Sequence, residues 1–429
     1  MMQRIYGVAF ENQTALDEYL ERIKQAELRD HRKLGQELDL FIFSDLVGPG
    51  LPLYTFRGAL VRQLIIDYSD ELQKRIGYQK VHTPNMNKAE LFKVSGHYDK
   101  FKDSMLLVKS NFTEEEYYLK PMNCPQHTQV YSSKQRSYKD LPIRIADFAN
   151  LYRDEKPGEL SGLSRLRCFC QDDGHCFCRE DQIEDEFASV LNAIQEALTT
   201  YGMKYYIRLS LRDEARKEKY LGEDSVWIKS QKVLENILIK HKIEYIRAEG
   251  EAAFYGPKMD IMTKDSIGRE WQISTIQLDF NMPKRFGLSY IDTDGKKVQP
   301  VMIHRALVGS PERFMSILIE HYAGNFPVWL SPVQVLIISV SKDFNDVANT
   351  IAKEFSLQGV RAECDDANET VGYKIRKAEK LKVPYMLVIG EKEAKSEKLN
   401  IRKRGSRDVV EMGKEEFTKL ILEEIKNKK

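Results

Sequence analysis

Apolar and polar positions along the chain follow two periods. Over residues 14–35, Leu16, Leu20, Ile23 and Leu28 recur at roughly helical spacing among charges, which predicts an amphipathic linker helix, 1–35, closing at Gly35. From 36 to 330 the runs YQKVHTP, EYYLKP, RCFCQDDGHCFC and REWQISTIQLDF are strand-like, without regularly spaced helices between them. That texture favours an α+β domain, an antiparallel sheet flanked by helices, over a doubly wound one. One clear helix, DEFASVLNAIQEALTTYG, closes on Gly202. After LSP at 330–332 the texture changes to VQVLIISV, a helical segment to about Leu357, GVRAECD, a second helix near VGYKIRKAEKLK, then VPYMLVIG and KLNIRKRG. Strand and helix taking turns over 331–429 predict a separate small α/β domain.

Composition fits this division. At 429 residues the chain exceeds what one hydrophobic core usually supports, and 42% apolar with 31% charged residues is a globular balance, neither disordered nor membrane-spanning. Lys and Arg (66) nearly cancel Asp and Glu (65), so net charge does not argue for a nucleic-acid partner. The clusters KIRK and RKR in the last hundred residues are explained by solvated helix faces more often than by RNA. Six cysteines, four of them crowded together, do not resemble a secreted disulfide framework. With no basic-apolar leader at the N-terminus and no apolar run near eighteen residues, the expectation is a cytoplasmic protein without membrane attachment.

The crowded cysteines lie in RLRCFCQDDGHCFC, Arg165 to Cys178, which spacing alone would read as a zinc knot. Strand parity argues otherwise. Odd positions give Arg165, Arg167, Phe169, Gln171, Asp173 and His175; even positions give Leu166, Cys168, Cys170, Asp172, Cys176 and Cys178. The odd face offers guanidinium groups for phosphate and a ring for a purine. The even face is expected to be packing, because free cysteine behaves as a small hydrophobe and ligands at i and i+2 on a flat strand converge poorly. Gly174 could admit a bulge that breaks parity before His175.

The flanking residues carry a resemblance. Arg153-x-Glu155, a loop, Arg165 and the Phe169 strand resemble motif 2 of the class II aminoacyl-tRNA synthetases. GSPERFMSILIEHYAG resembles their motif 3, and Pro84 in HTPNMNKAELF sits where motif 1 has its proline. The finer set KPMNCPQH, QDDGH, YGPK, WQISTIQLDF and MIHRALVGSPERF is similar to the threonyl-tRNA synthetases, and the likeness covers essentially the whole chain.

That resemblance implies a ligase that joins L-threonine and ATP into threonyl-adenylate and passes the threonyl group to tRNA(Thr). Ser310-Pro311 reads as a helix N-cap with proline at the first helical position, which places Arg313 in the first turn, where the helix dipole favours anions. By resemblance Arg313 and Arg153 meet the triphosphate, Glu155, Arg165 and Phe169 hold the adenine, and Lys258, Gln272, Thr275 and Ser310 complete the ATP site, with Mg2+ accompanying ATP. Cys124, His175 and His304 correspond to the ligands of a Zn2+ ion that recognises threonine's amino and hydroxyl groups. Such a demand for a hydroxyl can reject valine by ~10⁴, which an apolar pocket cannot do. Asp173, Gln171, Tyr255 and Gln277 are expected around the amino acid.

His97 matches a family histidine near the terminal ribose of tRNA, and Asn368, Glu393 and Arg402 match anticodon-contacting positions. A homodimer is implied through motif 1. The editing region that usually precedes this segment in the family is expected to be absent. Two departures stand out: Ile273-Ser274 where Cys-Gly is common, expected to narrow the pocket, and Gly174 where alanine or serine is usual, expected to loosen His175. Prolyl and seryl enzymes share the class architecture but do not fit the Cys124, His175, His304 set. A non-catalytic tRNA-binding relative is the rival reading.

Overall fold

The computed structural model describes residues 7–265 and 268–429. Its frame is an eight-stranded sheet. Across it run Tyr245–Glu249, Tyr206–Leu211, Lys258–Lys264, Glu270–Asp279, Val301–Ala306, Cys168–Cys178, Ile143–Tyr152 and Gln79–Lys80. The two edge pairs are parallel and every pair between them is antiparallel, as the two-periodic pattern predicts.

Register fixes what each face carries. One cross-strand row reads Leu209, Met259, Ile276, Arg305, Gly174 and Ala146. Of these, the apolar members lie in the large core together with Cys176 and Cys178. The helices Phe56–Arg75, Ile183–Thr200, Asp224–Lys240 and Pro311–Tyr322 contribute Val61, Ile65, Phe187, Ile194, Leu234, Phe314 and Leu318 to that same core. The first three bury stripes at three- and four-residue spacing, and Pro311–Tyr322 is buried along nearly its whole length, so the large core fills the sheet's helical side.

The opening helix departs from expectation. It is two helices, Gln13–Arg29 and His31–Glu37, divided at Asp30, whose carboxylate accepts the Arg32 N–H at 2.8 Å and caps the second. Gly35 does not end a helix: a Cβ there would overlap the Phe41 ring, so glycine serves close packing. The Gln13–Arg29 helix buries none of its residues, whereas the shorter one buries His31 and Leu34.

Beyond Ala323 the chain builds a five-stranded sheet in the order Ala362–Asp365, Val335–Ser339, Tyr385–Ile389, Lys398–Lys403, Val409–Gly413. The first three are parallel and the last two antiparallel. The predicted alternation is extended by the Val409–Gly413 strand and the Lys414–Lys426 helix, which the sequence pattern did not separate from loop. Val328 packs in the smaller core, and Trp329 and Leu330 in the larger one. Among the described residues no helix is long and apolar enough to cross a membrane.

Candidate active site

The side of the sheet opposite the helices carries polar rows. Lys258, Gln277, His304, His175 and Ile145 stand opposite one another on successive strands, and next to them Asp260, Thr275, Ala306, Asp173 and Asp147. A cleft of about 280 Å³ lies over these rows. It is lined by Gln171, Asp173, His175, Tyr255, Gln277, Cys124 and His304 at one end. Arg153, Glu155, Arg165, Phe169, Gln272, Thr275, Ser310 and Arg313 line the other. Parity holds along the whole Cys168–Cys178 strand: its pairing with Ile143–Tyr152 is unbroken, so Gly174 introduces no bulge.

A bulge does occur elsewhere. Ile261 pairs with Ser274 but Met262 with Gln272, so Ile273 is the extra residue. Without it Gln272 would share the face of Ser274; with it, the side chain is re-aimed to the cleft. Ser274 is buried and its hydroxyl donates to the Leu307 carbonyl. Gly174 is explained from the opposite face, where a Cβ would overlap the Arg305 guanidinium. Arg305 lies 4.1 Å from the Tyr78 ring centre and donates to the Asp172 carbonyl and Gln73. Gly174 is also held by pairing with Ala146 on one neighbouring strand and Arg305 on the other, which opposes loosening of His175.

Cationic groups crowd the nucleotide-like end. The Arg153 guanidinium lies 5.1 Å from the Phe169 ring centre, and Arg313 donates from Nε to the Ser164 carbonyl at 2.9 Å. Burial holds Arg153 below its ordinary pKa, and burial with repulsion from Arg153 and Arg165 does the same to Arg313. Arg165, the exposed one of the three, donates to Glu155 at 2.9 Å and to Glu159 at 3.0 Å. Two largely buried guanidinium groups without a carboxylate of their own favour a polyanion. Ser310 caps the Pro311–Tyr322 helix by accepting the Arg313 N–H, so the helix N-terminus faces the same space.

At the other end Cys124, His175 and His304 place their ligand atoms within 4.8 Å of one another, all three buried. His175 Nε2 and His304 Nδ1 face each other at 3.0 Å. Their remaining nitrogens are taken: His304 Nε2 by Asp279 at 3.0 Å and His175 Nδ1 by His127 Nδ1 at 2.7 Å. Outer hydrogen bonds of this kind fix tautomer and ring orientation in metal sites. Burial, with help from the neighbouring imidazoles, holds His175 well below its ordinary pKa, so it is the neutral ring a metal requires. Burial pushes the Cys124 thiol up, with Asp173 and Asp279 adding to it; a bound cation would reverse that shift. The donor set therefore fits a borderline-soft cation such as zinc with an open coordination position. Cys168, Cys170, Cys176 and Cys178 form no such group among the described residues, and Cys176 and Cys178 lie in the core, as parity predicts.

Several positions the sequence singled out sit apart. Lys258 bonds Asp260 at 2.7 Å and Gln272 at 3.3 Å, at the margin of the cleft. His97 is fully buried, with Nδ1 2.7 Å from Ser95 Oγ and Nε2 3.8 Å from Cys124 Sγ. Burial brings its pKa down to about 3. Asn368 is exposed on the loop after Ala362–Asp365. Glu393 accepts Asn400, and Arg402 donates to Glu379 at 2.8 Å.

Three buried carboxylates were missed. Asp172 accepts the N–H groups of Leu307, Val308 and Gly309 and the Ser69 hydroxyl, and so anchors the turn that leads into the Pro311–Tyr322 helix. Burial pushes its carboxyl up to about 6, while Arg305 and those donors pull the other way. Asp260 accepts Lys258, Ser210, Arg208 and Thr275, and Asp279 orients His304. For Asp260 and Asp279 a lone aspartate inside an apolar run is the available signal, and for Asp172 its place on the apolar face of its strand, since an unpaired buried charge is not tolerated.

Fold and cleft together describe a class II synthetase core. Residues 101–322 match the tRNA synthetase class II core domain (G, H, P, S and T), and 334–424 match an anticodon binding domain. The chain belongs to the class II tRNA synthetase family. Among its relatives is the threonine-tRNA ligase of Cytophaga hutchinsonii, 47% identical over 426 residues, which cover 99% of this chain and 66% of that protein. The threonine-tRNA ligase of Bacteroides fragilis is 46% identical over 433 residues, 100% of this chain and 66% of that protein. The chain thus spans about two thirds of the length of these curated relatives. Among solved structures, the RNA binding domain of threonyl-tRNA synthetase from Cryptosporidium parvum Iowa II superposes with a TM-score of 0.87 at 36% identity, covering 92% of this chain and 98% of that one. Giardia lamblia prolyl-tRNA synthetase shares the fold, with a TM-score of 0.75 at 17% identity over 95% of this chain and 80% of that one.

Proposed function

We propose that this chain activates L-threonine with ATP and transfers it to tRNA(Thr). The observation that carries the reading is the division of one cleft into a cationic end and a Cys-His-His end. ATP takes the first end: Arg153 holds the α-phosphate, Arg313 the distal phosphates, and Phe169, Glu155 and Arg165 the adenine, with Gln272, Thr275, Ser310 and Lys258 at its margin and Mg2+ entering with ATP. A carboxylate oxygen of threonine attacks the α-phosphorus, the bond to the β-phosphate bridge breaks, and pyrophosphate leaves. Arg153 and Arg313 stabilise the charge that develops, the kind of preorganised contact worth about 10² to 10³ in rate.

Cys124, His175 and His304 would hold zinc, which supplies a Lewis-acid partner for threonine's amino and hydroxyl groups. Asp173 accepts the hydroxyl's hydrogen bond, and Gln171, Tyr255 and Gln277 enclose the remainder. Tyr255 stacks on His304 at 4.7 Å and donates to Gln277, which supports this reading. In the transfer step the terminal ribose hydroxyl of tRNA attacks the threonyl carbonyl and AMP leaves. His97, buried and 3.8 Å from Cys124 Sγ, acts there in handling the hydroxyl proton or in orienting its neighbours. Asn368, Glu393 and Arg402 serve the anticodon loop, in a cytoplasmic homodimer whose boundaries we set at 1–35 for the linker, 36–330 for the catalytic domain and 331–429 for the anticodon domain.

Threonine-dependent ATP–pyrophosphate exchange, run beside metal quantification, tests this. Expected are about one zinc per chain, lost in Cys124→Ser, and exchange with threonine but not valine. Zinc-loaded, folded protein without exchange would favour the non-catalytic tRNA-binding reading.

A further inference from the structure

Outside the cleft the described residues hold another group of converging ligand-type side chains, Asp30, His31 and Glu320. It is not built for a cation. Asp30 engages Arg32 with both oxygens, both His31 nitrogens are in use, and Arg32 and Arg269 line the same small cavity. What the imidazole joins is more telling. His31 Nε2 accepts the Leu163 backbone N–H at 3.2 Å, which fixes the ring proton on Nδ1, and Nδ1 donates to Glu320 Oε1 at 2.8 Å. A residue of the His31–Glu37 helix thus links the loop between Arg153 and Phe169 to the far end of the Pro311–Tyr322 helix.

The loop is seated directly on the ring. Gly162 has φ +47°, and a Cβ there would overlap His31 Nε2 and Arg32. Two connections run on from this point to Arg313. Along the loop, the residue after Leu163 offers its carbonyl to Arg313 Nε at 2.9 Å. Along the helix, Glu320 reaches Arg269 at 3.6 Å, and Arg269 and Arg313 lie 5.6 and 5.9 Å from the Trp271 ring centre.

We propose that His31 is a positioning residue that sets the 157–166 loop, and through Ser164 the Arg313 guanidinium, for nucleotide binding. It touches no substrate itself. The inference rests on the reading of the cationic end as an ATP site, and its test separates the two.

An asparagine amide reaches the Nδ1 position and keeps the donor to Glu320 but falls short of Leu163; a glutamine amide reaches the Nε2 position and can accept the Leu163 N–H. Hydrogen exchange of the Leu163 amide is measured in the free chain, and calorimetry gives Kd for Mg–ATP and for threonine. In His31→Asn the Leu163 amide exchanges about tenfold faster and Kd for ATP rises about five- to tenfold, while Kd for threonine changes less than about twofold. In His31→Gln both return to within about twofold of the parent. Unchanged Leu163 exchange in His31→Asn overturns the proposal, as does a loosened amide with unchanged ATP affinity. Equal loss in both variants with a lowered Tm would assign His31 to folding alone and overturn it too. A parent chain that binds ATP but shows no threonine-dependent exchange fails the functional reading while leaving this one standing. A parent that does not bind ATP fails both.

Discussion

On the large sheet, Asp173, His175 and His304 are buried and aimed from adjacent strands into one cleft, with the outer atoms of both imidazoles already bonded. In the small domain, Asn368 stands in solvent on a loop, while Glu393 and Arg402 are occupied by Asn400 and Glu379. The large-sheet region is preorganised and desolvated, so each contact is strong and each loss severe. In the anticodon-binding role proposed for them, Glu393 and Arg402 would exchange existing partners for a ligand, which suits splayed single-stranded bases and caps what any one side chain can contribute.

The largest effect that would sharpen this contrast comes from the Cys-His-His group. His304→Ala should lower threonine-dependent exchange by at least about 10³-fold and release the metal, read by exchange rate and metal content. Exchange near the parental level would break the comparison. Next is Arg313→Ala, expected to cost about 10² to 10³ in kcat/KM for exchange. Asp172→Asn sets an amide against three backbone donors and should destabilise the fold by about 1 to 3 kcal/mol, seen in denaturant unfolding. In the small domain, Asn368→Ala should raise KM for tRNA by only about three- to tenfold and leave pyrophosphate exchange untouched. The smallest change concerns the back of the sheet. Burial pushes the Cys170 thiol up to about 12, so at pH 8 about one in 10⁴ is thiolate, and mass spectrometry after brief alkylation of native protein should find Cys170 unmodified.

Much of this cleft was legible because a strand has only two faces. Parity separated Phe169, Gln171, Asp173 and His175 from the cysteines, and the N-cap at Ser310 placed Arg313. Four things escaped. The packing role of Gly35 depends on Phe41, which no local pattern announces. The bulge at Ile273 arises from pairing with Met262 and is invisible in either strand alone. The Leu163–His31–Glu320 link joins residues 132 and 289 positions apart, beyond any periodicity. In the last domain the Val409–Gly413 strand is mostly exposed at a sheet edge, so it lacks the alternating burial that marks a strand.

The contact of Arg305 with the bare backbone at Gly174 makes the reverse of the sheet a control surface for its obverse. Arg305 and Gly174 are sequence neighbours of His304 and His175, so a methyl group at 174 that displaced the guanidinium from Tyr78 would tug on both imidazoles at once. Tolerance for alanine there should depend on a smaller partner at 305 or 78, tying the identities of residues that never meet a substrate to the aim of those that do.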